Sequence, residues 1–337
     1  MIKYSFIIPV KAINDYIREA VPKILAIARD DYEIIIYPDE INAEIWPQTR
    51  QIATGHCGPA TKRSLAIKDA TGEILIFIDD DAYPANNFLT ILAEDFKDEK
   101  IAAVGGPALT PPDDSFWAKV SGAVFLSSLS GGNPARYAPR GVKRIVNDWP
   151  SVNFSIRKTV FAELDGFDSE FWPGEDTKLC LDLVKKYPTG IIYNPVLLVY
   201  HHRRAGLLKH LKQVGGYGLH RGFFAKKYPE TSRKLKYFVP SLFLLFTVLT
   251  IVLGLLWLGG VFSQTQELYI VIGRLYLIGW LIYILALIKA LFDIRRYEKN
   301  PLVALNTGYY IFLTHLVYGY YFLRGLIFVK NLKSKLR

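Results

Sequence analysis

Three apolar runs of strand length lie in the first quarter of the chain: residues 4–10 (YSFIIPV), 33–37 (EIIIY) and 74–78 (ILIFI). Between them the period changes. In 14–29 (NDYIREAVPKILAIAR), Ile17, Ala20, Val21, Ile24, Leu25 and Ala28 recur at helical spacing. Residues 59–70 (PATKRSLAIKDA) repeat the pattern, with Pro59 near a start and Thr71-Gly72 as a stop. Strands that alternate with helices predict an α/β fold, a doubly wound and mostly parallel sheet covered on both faces. Double coverage explains why these strands are apolar throughout instead of at alternate positions. Sheets of this kind bind ligands beyond the carboxyl ends of their strands. Residues 101–150 are rich in Gly, Pro, Ser and Asp, and predict a strand over IAAVGG, a loop over PALTPPDD and irregular chain around SGGNPARYAPRG. Such a stretch either covers a site or merely connects elements.

Beyond Tyr237 the apolar runs become long and nearly free of charge. Residues 237–260 and 268–292 each hold about 24 residues, enough at ~1.5 Å per residue to cross a hydrocarbon core of about 30 Å. The connection SQTQE has no Lys or Arg, whereas DIRRYEKN after the second run has Arg295, Arg296 and Lys299. That asymmetry predicts a hairpin with its tip outside. A third segment, 302–329, contains Asn306, His315 and Arg324 and is followed by Lys330, Lys333, Lys335 and Arg337. It reads either as a third crossing or as a helix lying in the interface. The expected organisation is a globular domain over 1–205, a basic amphipathic interface segment over 206–236 and a membrane domain over 237–337.

The chain has 337 residues, 51% of them hydrophobic, and a net charge of +10. The positive excess is concentrated. Arg203, Arg204, Lys209, Lys212, Arg221, Lys226, Lys227, Arg233, Lys234 and Lys236 stand against Glu230 alone, directly before the first long apolar run. This is the pattern of a juxtamembrane belt on the cytoplasmic side, attracted to anionic lipid. No nucleic-acid-binding motif accompanies the charge, so nucleic acid is not an expected partner. Cys57 and Cys180 are too few for a disulfide framework and lack metal-type spacing, which fits a reducing compartment. The N-terminal residues run straight into a strand without the features of a secretory signal. A cytoplasmic catalytic domain on a multi-pass membrane anchor is the expected placement.

The candidate chemistry begins at EILIFIDDDAYP, residues 73–84, where a buried strand ends on three aspartates. In extended backbone Asp79 and Asp81 face together and Asp80 turns away. Two carboxylates held together suit a hard divalent cation, Mg²⁺ or Mn²⁺, which takes phosphate oxygens as further ligands. A solvated acidic turn is the plainer alternative. Lys62 and Arg63, near the start of the preceding helix, are the cations a diphosphate would need. Asp39, after the second strand, lies where a nucleoside's base or ribose sits in a doubly wound sheet. In FWPGEDTKLCLDLVKK, residues 171–186, Glu175 and Asp176 open a helix whose apolar face is Leu179, Cys180, Leu183 and Val184. Acids there are favoured by the helix dipole, and they are also candidates for a general base, which a sugar transfer requires.

These residues resemble a known family. GPATKRSLAIKDATGEILIFIDDDAYP is similar to the nucleotide-sugar-binding half of the family 2 glycosyltransferases of GT-A fold. VNFSIRKTVFAELDGFDSEFWPGEDTKLCLDL resembles their acceptor-side segment, and the likeness covers about residues 3–220. It implies a metal-dependent, inverting transfer of a sugar from a nucleoside-diphosphate sugar by a single displacement. Carried over by position, Asp79 and Asp81 are the outer members of a D-x-D with Asp81 the direct metal ligand. Asp176 matches the catalytic base, with Glu175 beside it, Asp39 the nucleoside contact, and Arg63 the cation near the diphosphate. Pro9, Lys62 and Asp80 fall on the donor side.

The chain departs from the family at YPDE, where many members carry D-x-S-x-D. In VYHHRRAGLLKHLKQVGGYGLHRGFF, His201 and His202 either complete the metal or diphosphate site or are interface histidines without a ligand. Trp172, His202, Arg203, Gln213 and Tyr217 are candidates for the acceptor or interface side. Gln213–Tyr217 is similar to the Q-x-x-R-W of processive synthases, but Gly216 and Tyr217 stand in place of its arginine and tryptophan. The expected acceptor is a lipid-linked sugar or glycan at the membrane. A processive polysaccharide synthase and an inactive sugar-nucleotide-binding subunit are the rival readings.

Overall fold

A computed structural model describes residues 2–130, 132–167, 171, 173–259 and 266–332. The chain divides into two compact units. The first is built from residues up to Asp114 and from Ala135–Arg203, the second from Ser115–Pro134 and Arg204–Lys330. Residues 115–134, read from the sequence as part of the first domain, thus pack in the second.

The first unit runs β1 (Tyr4–Pro9), α1 (Asp15–Leu25), β2 (Tyr32–Tyr37), β3 (Thr49–Gln51), α2 (Pro59–Ser64), α3 (Ala66–Asp69), β4 (Ile74–Phe77), β5 (Ala82–Pro84), α4 (Phe88–Asp95), β6 (Ala103–Gly105) and β7 (Ala108–Leu109). After α5 (Phe116–Ala123), which belongs to the second unit, it resumes with β8 (Arg144–Ile145), β9 (Phe154–Arg157), α6 (Lys158–Glu163), α7 (Glu175–Lys186), β10 (Ile191–Tyr193) and β11 (Val199–His201). The main sheet has the order β3-β2-β1-β4-β9-β6-β10-β8, and a smaller one the order β5-β11-β7. β1 pairs in parallel with β2 and β4, as alternation of strands and helices predicts.

β9 departs from that pattern. It lies antiparallel between β4 and β6, with Phe77 opposite Phe154 and Ala103 opposite Ile156. The sheet is therefore mixed, though still doubly wound.

β1, β2 and β4 are buried along their whole length. Successive side chains enter opposite cores. Phe6, Ile8, Ile34, Ile36 and Ile76 pack with Ile17, Val21 and Ile24 of α1 and Leu89 and Leu92 of α4. Ile7, Ile35, Leu75 and Phe77 pack on the other face with Phe161, Leu179 and Leu183. α1 closes at Leu25, short of the expected Arg29, whose guanidinium turns to Asp31 and the Tyr4 ring. The helix expected over 59–70 is interrupted at Leu65. Cys57 and Cys180 are both free.

The second unit contains α8 (Leu207–Lys227), α9 (Pro229–Ser232), α10 (Leu235–Leu258), α11 (Gln266–Arg295) and α12 (Pro301–Ile327), with α5 packed against α8 and α12. Among the described residues two helical stretches, Leu235–Leu258 and Tyr269–Arg295, are long and apolar enough to cross a membrane. Only 6% of each apolar window is fully buried, so much of this apolar surface stays exposed even where α10 and α11 touch α12. An all-round apolar, uncovered helix suits a hydrocarbon environment. α12 differs, because Val303, Thr307, Tyr310, Ile311, Thr314 and Phe322 are buried within the unit. Most of the connection SQTQE lies outside the described residues.

Candidate active site

β4 delivers the three aspartates, but not in extended chain. The Ala82 amide donates to the Asp79 carbonyl at 3.1 Å, closing a turn over 79–82 that leads into β5. The same-side argument from strand geometry therefore does not apply, yet a tight turn still gathers the carboxylates. Asp80 accepts from Asn14 Nδ2 at 2.7 Å. Asn14 also caps α1, its Oδ1 taking the Ile17 amide at 3.0 Å. Asp81 is buried, 5% exposed, with Oδ1 3.0 Å from His201 Nε2.

β11 brings His201 there by pairing antiparallel with β5, His201 opposite Ala82. Ligand atoms of Asp79, Asp81 and His201 all lie within 4.8 Å of one another. Arg203 Nη1 lies 3.0 Å from His201 Nδ1. Two carboxylates and one imidazole form a donor set that fits Mn²⁺ or Mg²⁺, with the nitrogen favouring the former.

Arg63 joins this cluster to the second acidic point. The guanidinium is 3% exposed; Nη2 reaches Asp79 Oδ1 at 2.5 Å and Nη1 reaches Glu175 Oε1 at 3.0 Å. Gly174 holds φ at +131°, a conformation that favours glycine, and turns the chain into α7. Glu175 is buried, its second oxygen accepting from the Gly174 amide at 3.0 Å. Burial, and then the Asp176 charge, push the Glu175 carboxyl up to about 7 against the pull of Arg63. Asp176 is half-buried, and its Oδ1 accepts from the Thr177 amide at 2.7 Å.

Lys62 has a different environment from the one its sequence position suggests. Its ammonium is buried and donates to the carbonyls of Val10 at 2.7 Å and Tyr37 at 3.2 Å and to Asp39 Oδ1 at 2.5 Å. It ties the ends of β1 and β2 together, just beyond Pro9, and holds Asp39. Lys62, with help from His56 at 3.2 Å, keeps the Asp39 carboxyl below the usual carboxylate range.

His202 turns away from the cluster. It pairs with Asp114 at 2.5 Å and Glu19 at 3.1 Å and packs on Tyr16. Arg203 is engaged by Ala108, Thr110 and the Tyr137 ring. Gln213 and Tyr217 bond to each other at 3.0 Å on α8, in the second unit. Trp172 lies outside the described residues. Sequence reasoning missed Asn14, Asp114 and Glu19. For Asn14 the signal was visible, an Asn before an apolar periodic run, but nothing local ties it to Asp80, 66 residues on.

A doubly wound, mixed sheet with an acidic turn at a strand end and an acidic helix start is the arrangement of a GT-A-like fold. The comparisons agree. Residues 5–164 match the model described as Glycosyl transferase family 2, and the C-terminal region carries two apolar helices. The chain is 26% identical over 267 residues, 77% of this chain and 73% of the other, to the dolichyl N-acetyl-alpha-D-glucosaminyl phosphate 3-beta-D-2,3-diacetamido-2,3-dideoxy-beta-D-glucuronosyltransferase of Methanococcus voltae. Its fold is similar to that of the mannosyltransferase PcManGT from Pyrobaculum calidifontis, solved with GDP-Man and Mn²⁺, at TM-score 0.52 and 15% identity over 96% of this chain and 87% of that one. S. aureus TarS 1-349 with UDP-GlcNAc gives TM-score 0.43 and 16% identity over 65% of this chain and 66% of that one.

Proposed function

We propose that this glycosyltransferase takes a sugar from a nucleoside-diphosphate sugar and delivers it, with inversion, to a lipid-linked acceptor at the cytoplasmic face of a membrane. The observation that carries the reading is the convergence of Asp79, Asp81 and His201 within 4.8 Å, joined through Arg63 to Glu175 beside Asp176. Asp79, Asp81 and His201 would hold Mg²⁺ or Mn²⁺, which when bound neutralises charge on the departing diphosphate. Asp39, positioned by Lys62, contacts the nucleoside. Both Glu175 oxygens are engaged, by Arg63 and the Gly174 amide, so Glu175 is a positioning residue. The resemblance by position gives the role of base to Asp176. Asp176 takes the proton of the acceptor hydroxyl as that oxygen bonds to the anomeric carbon and the bond to the diphosphate oxygen breaks.

The lipid-linked acceptor is supported by the two membrane-length helices of the same chain and by the acceptor named for the M. voltae relative. Asp176→Asn should bind donor nearly normally and lose transfer by about a hundredfold or more. Asp81→Asn should abolish cation-dependent donor binding. The measurements are calorimetry and product analysis with a panel of sugar nucleotides on the detergent-solubilised chain, with and without Mn²⁺. Normal turnover of Asp176→Asn would remove it from the role of base, and donor hydrolysis absent under every condition would favour an inactive subunit.

A further inference from the structure

The second unit carries a groove of about 340 Å³ lined by Ala225, Lys226, Pro229, Arg233, Phe238 and Leu326. It lies where the end of α8, α9, the start of α10 and the last turn of α12 meet. Its chemistry is divided. Ala225, Phe238 and Leu326 give an apolar wall, with Phe238 fixed edge-on against Phe322 at 4.8 Å. Lys226 and Arg233 give two exposed cations.

Lys226 Nζ donates to the Val329 carbonyl at 2.7 Å, which holds the ammonium at the rim. The Arg233 guanidinium has no hydrogen-bond or ion-pair partner among the described residues, so its donors remain available. Arg221, bonded to Ser232 at 3.2 Å, and Lys227 add positive charge from the same helix. Glu230 is the single acid between 204 and 236. The apolar helix α10, long enough to cross a bilayer, begins at Leu235, two residues after Arg233.

We propose that this groove binds the phosphate headgroup of a membrane lipid. The phosphate lies between Arg233 and Lys226, and the first apolar carbons lie against Phe238 and Leu326. An unpaired guanidinium fork matches a phosphate in shape and charge, and the apolar wall distinguishes a lipid phosphate from a free one. The location fits, because basic residues flanking a spanning helix meet the headgroup layer. This rests on the reading above that α10 and α11 lie in the bilayer.

The test uses the full chain in detergent, titrated with dioctanoyl phosphatidate, dioctanoylglycerol and inorganic phosphate. Phosphatidate should bind saturably, with the neutral lipid and inorganic phosphate at least about tenfold weaker. Lys226→Gln with Arg233→Gln should weaken phosphatidate by about tenfold or more, and Arg233→Lys by less, since an ammonium keeps the charge without the fork. Both side chains are exposed, and thermal unfolding of each variant without ligand checks the fold. Unchanged affinity in the double variant, or equal binding of dioctanoylglycerol or inorganic phosphate, overturns the site. Alkaline carbonate extraction of the wild-type chain tests the bilayer placement separately. Release with phosphatidate binding intact removes that placement and keeps the site, whereas loss of binding by a chain that stays in the membrane removes the site alone.

Discussion

Arg63 is where the two acidic points of the first unit meet. Its fork spans Asp79 and Glu175, and all three groups depend on that geometry. Arg63→Ala should destabilise the protein by roughly 3 to 5 kcal/mol if Glu175 stays ionised, because a buried charge loses its partner. Glu175 has an escape, since burial already raises its carboxyl to about 7. A folded-state value above the ordinary 4.5 makes a contribution that is complete below about 4.5 and is lost as pH rises through 7. Without Arg63 the carboxyl rises further. The deficit of Arg63→Ala should therefore be small at pH 5 and grow toward pH 8, measured by denaturant unfolding of the full chain in detergent. A deficit independent of pH would mean that Glu175 is not the group left unpaired. Arg63→Lys should recover part of the stability but not donor binding, because one ammonium cannot reach both carboxylates.

At the scale of elements, α8 and α12 meet backbone to backbone. A Cβ on Gly222 would lie 2.0 Å from the Phe322 carbonyl oxygen, and one on Gly325 would lie 2.1 Å from that of Leu219. Gly222→Ala should cost roughly 1 to 3 kcal/mol by forcing the helices apart. Gly216, on the same helix, faces open space, so Gly216→Ala should be neutral or stabilising by up to about 1 kcal/mol. Thermal unfolding in detergent separates the two; equal effects would mean that helix propensity, not close approach, decides. Between these helices His210 is fully buried, 2.8 Å from both Ser121 Oγ and Thr314 Oγ1. Burial lowers its folded value to about 4 from 6.5, so the neutral form is the stable one. As pH falls from 6.5 toward 4 the unfolded chain takes up a proton that the folded one refuses, and stability is lost, by about 3 kcal/mol at most. His210→Gln should lack that acid-side loss. The strands β1, β2 and β4 and the start of α1 were legible in the sequence because their signals are local: continuous apolar runs and an Asn cap. β9 was not, because four residues, FSIR, carry no period that distinguishes an antiparallel insertion, and its partners lie some 50 and 80 positions away. The acids at 79–81 were legible as a site but not as a turn, since the bond that closes it is made by the backbone. α5 was hidden for a related reason: its placement against α8 and α12 is a tertiary choice that composition does not record.

For the molecule as a whole, the remaining question is which side of a membrane holds the catalytic unit, and charge decides the expectation. Ten Lys and Arg lie between 203 and 236, and Arg295, Arg296 and Lys299 follow α11, while the connection 263–267 has none. Loops rich in Lys and Arg tend to stay in the cytoplasm, so if α10 and α11 cross a membrane, the expectation is that their basic flanks lie there and the connection between them outside. Cysteine accessibility reads this out with the native residues as internal controls, Cys57 being partly accessible and Cys180 buried. In intact cells an impermeant maleimide should label Glu267→Cys, whereas Arg296→Cys and native Cys57 should react only after permeabilisation. Labelling of Arg296→Cys with Glu267→Cys protected would put the acidic cluster outside, away from the cytoplasmic supply of activated sugars that the proposed transfer requires. Salt adds a second discriminator. A chain held only by its basic belt should leave the membrane at about 1 M salt, where screening acts within ~3 Å. One held by two apolar helices, each 6% buried within the protein, should remain.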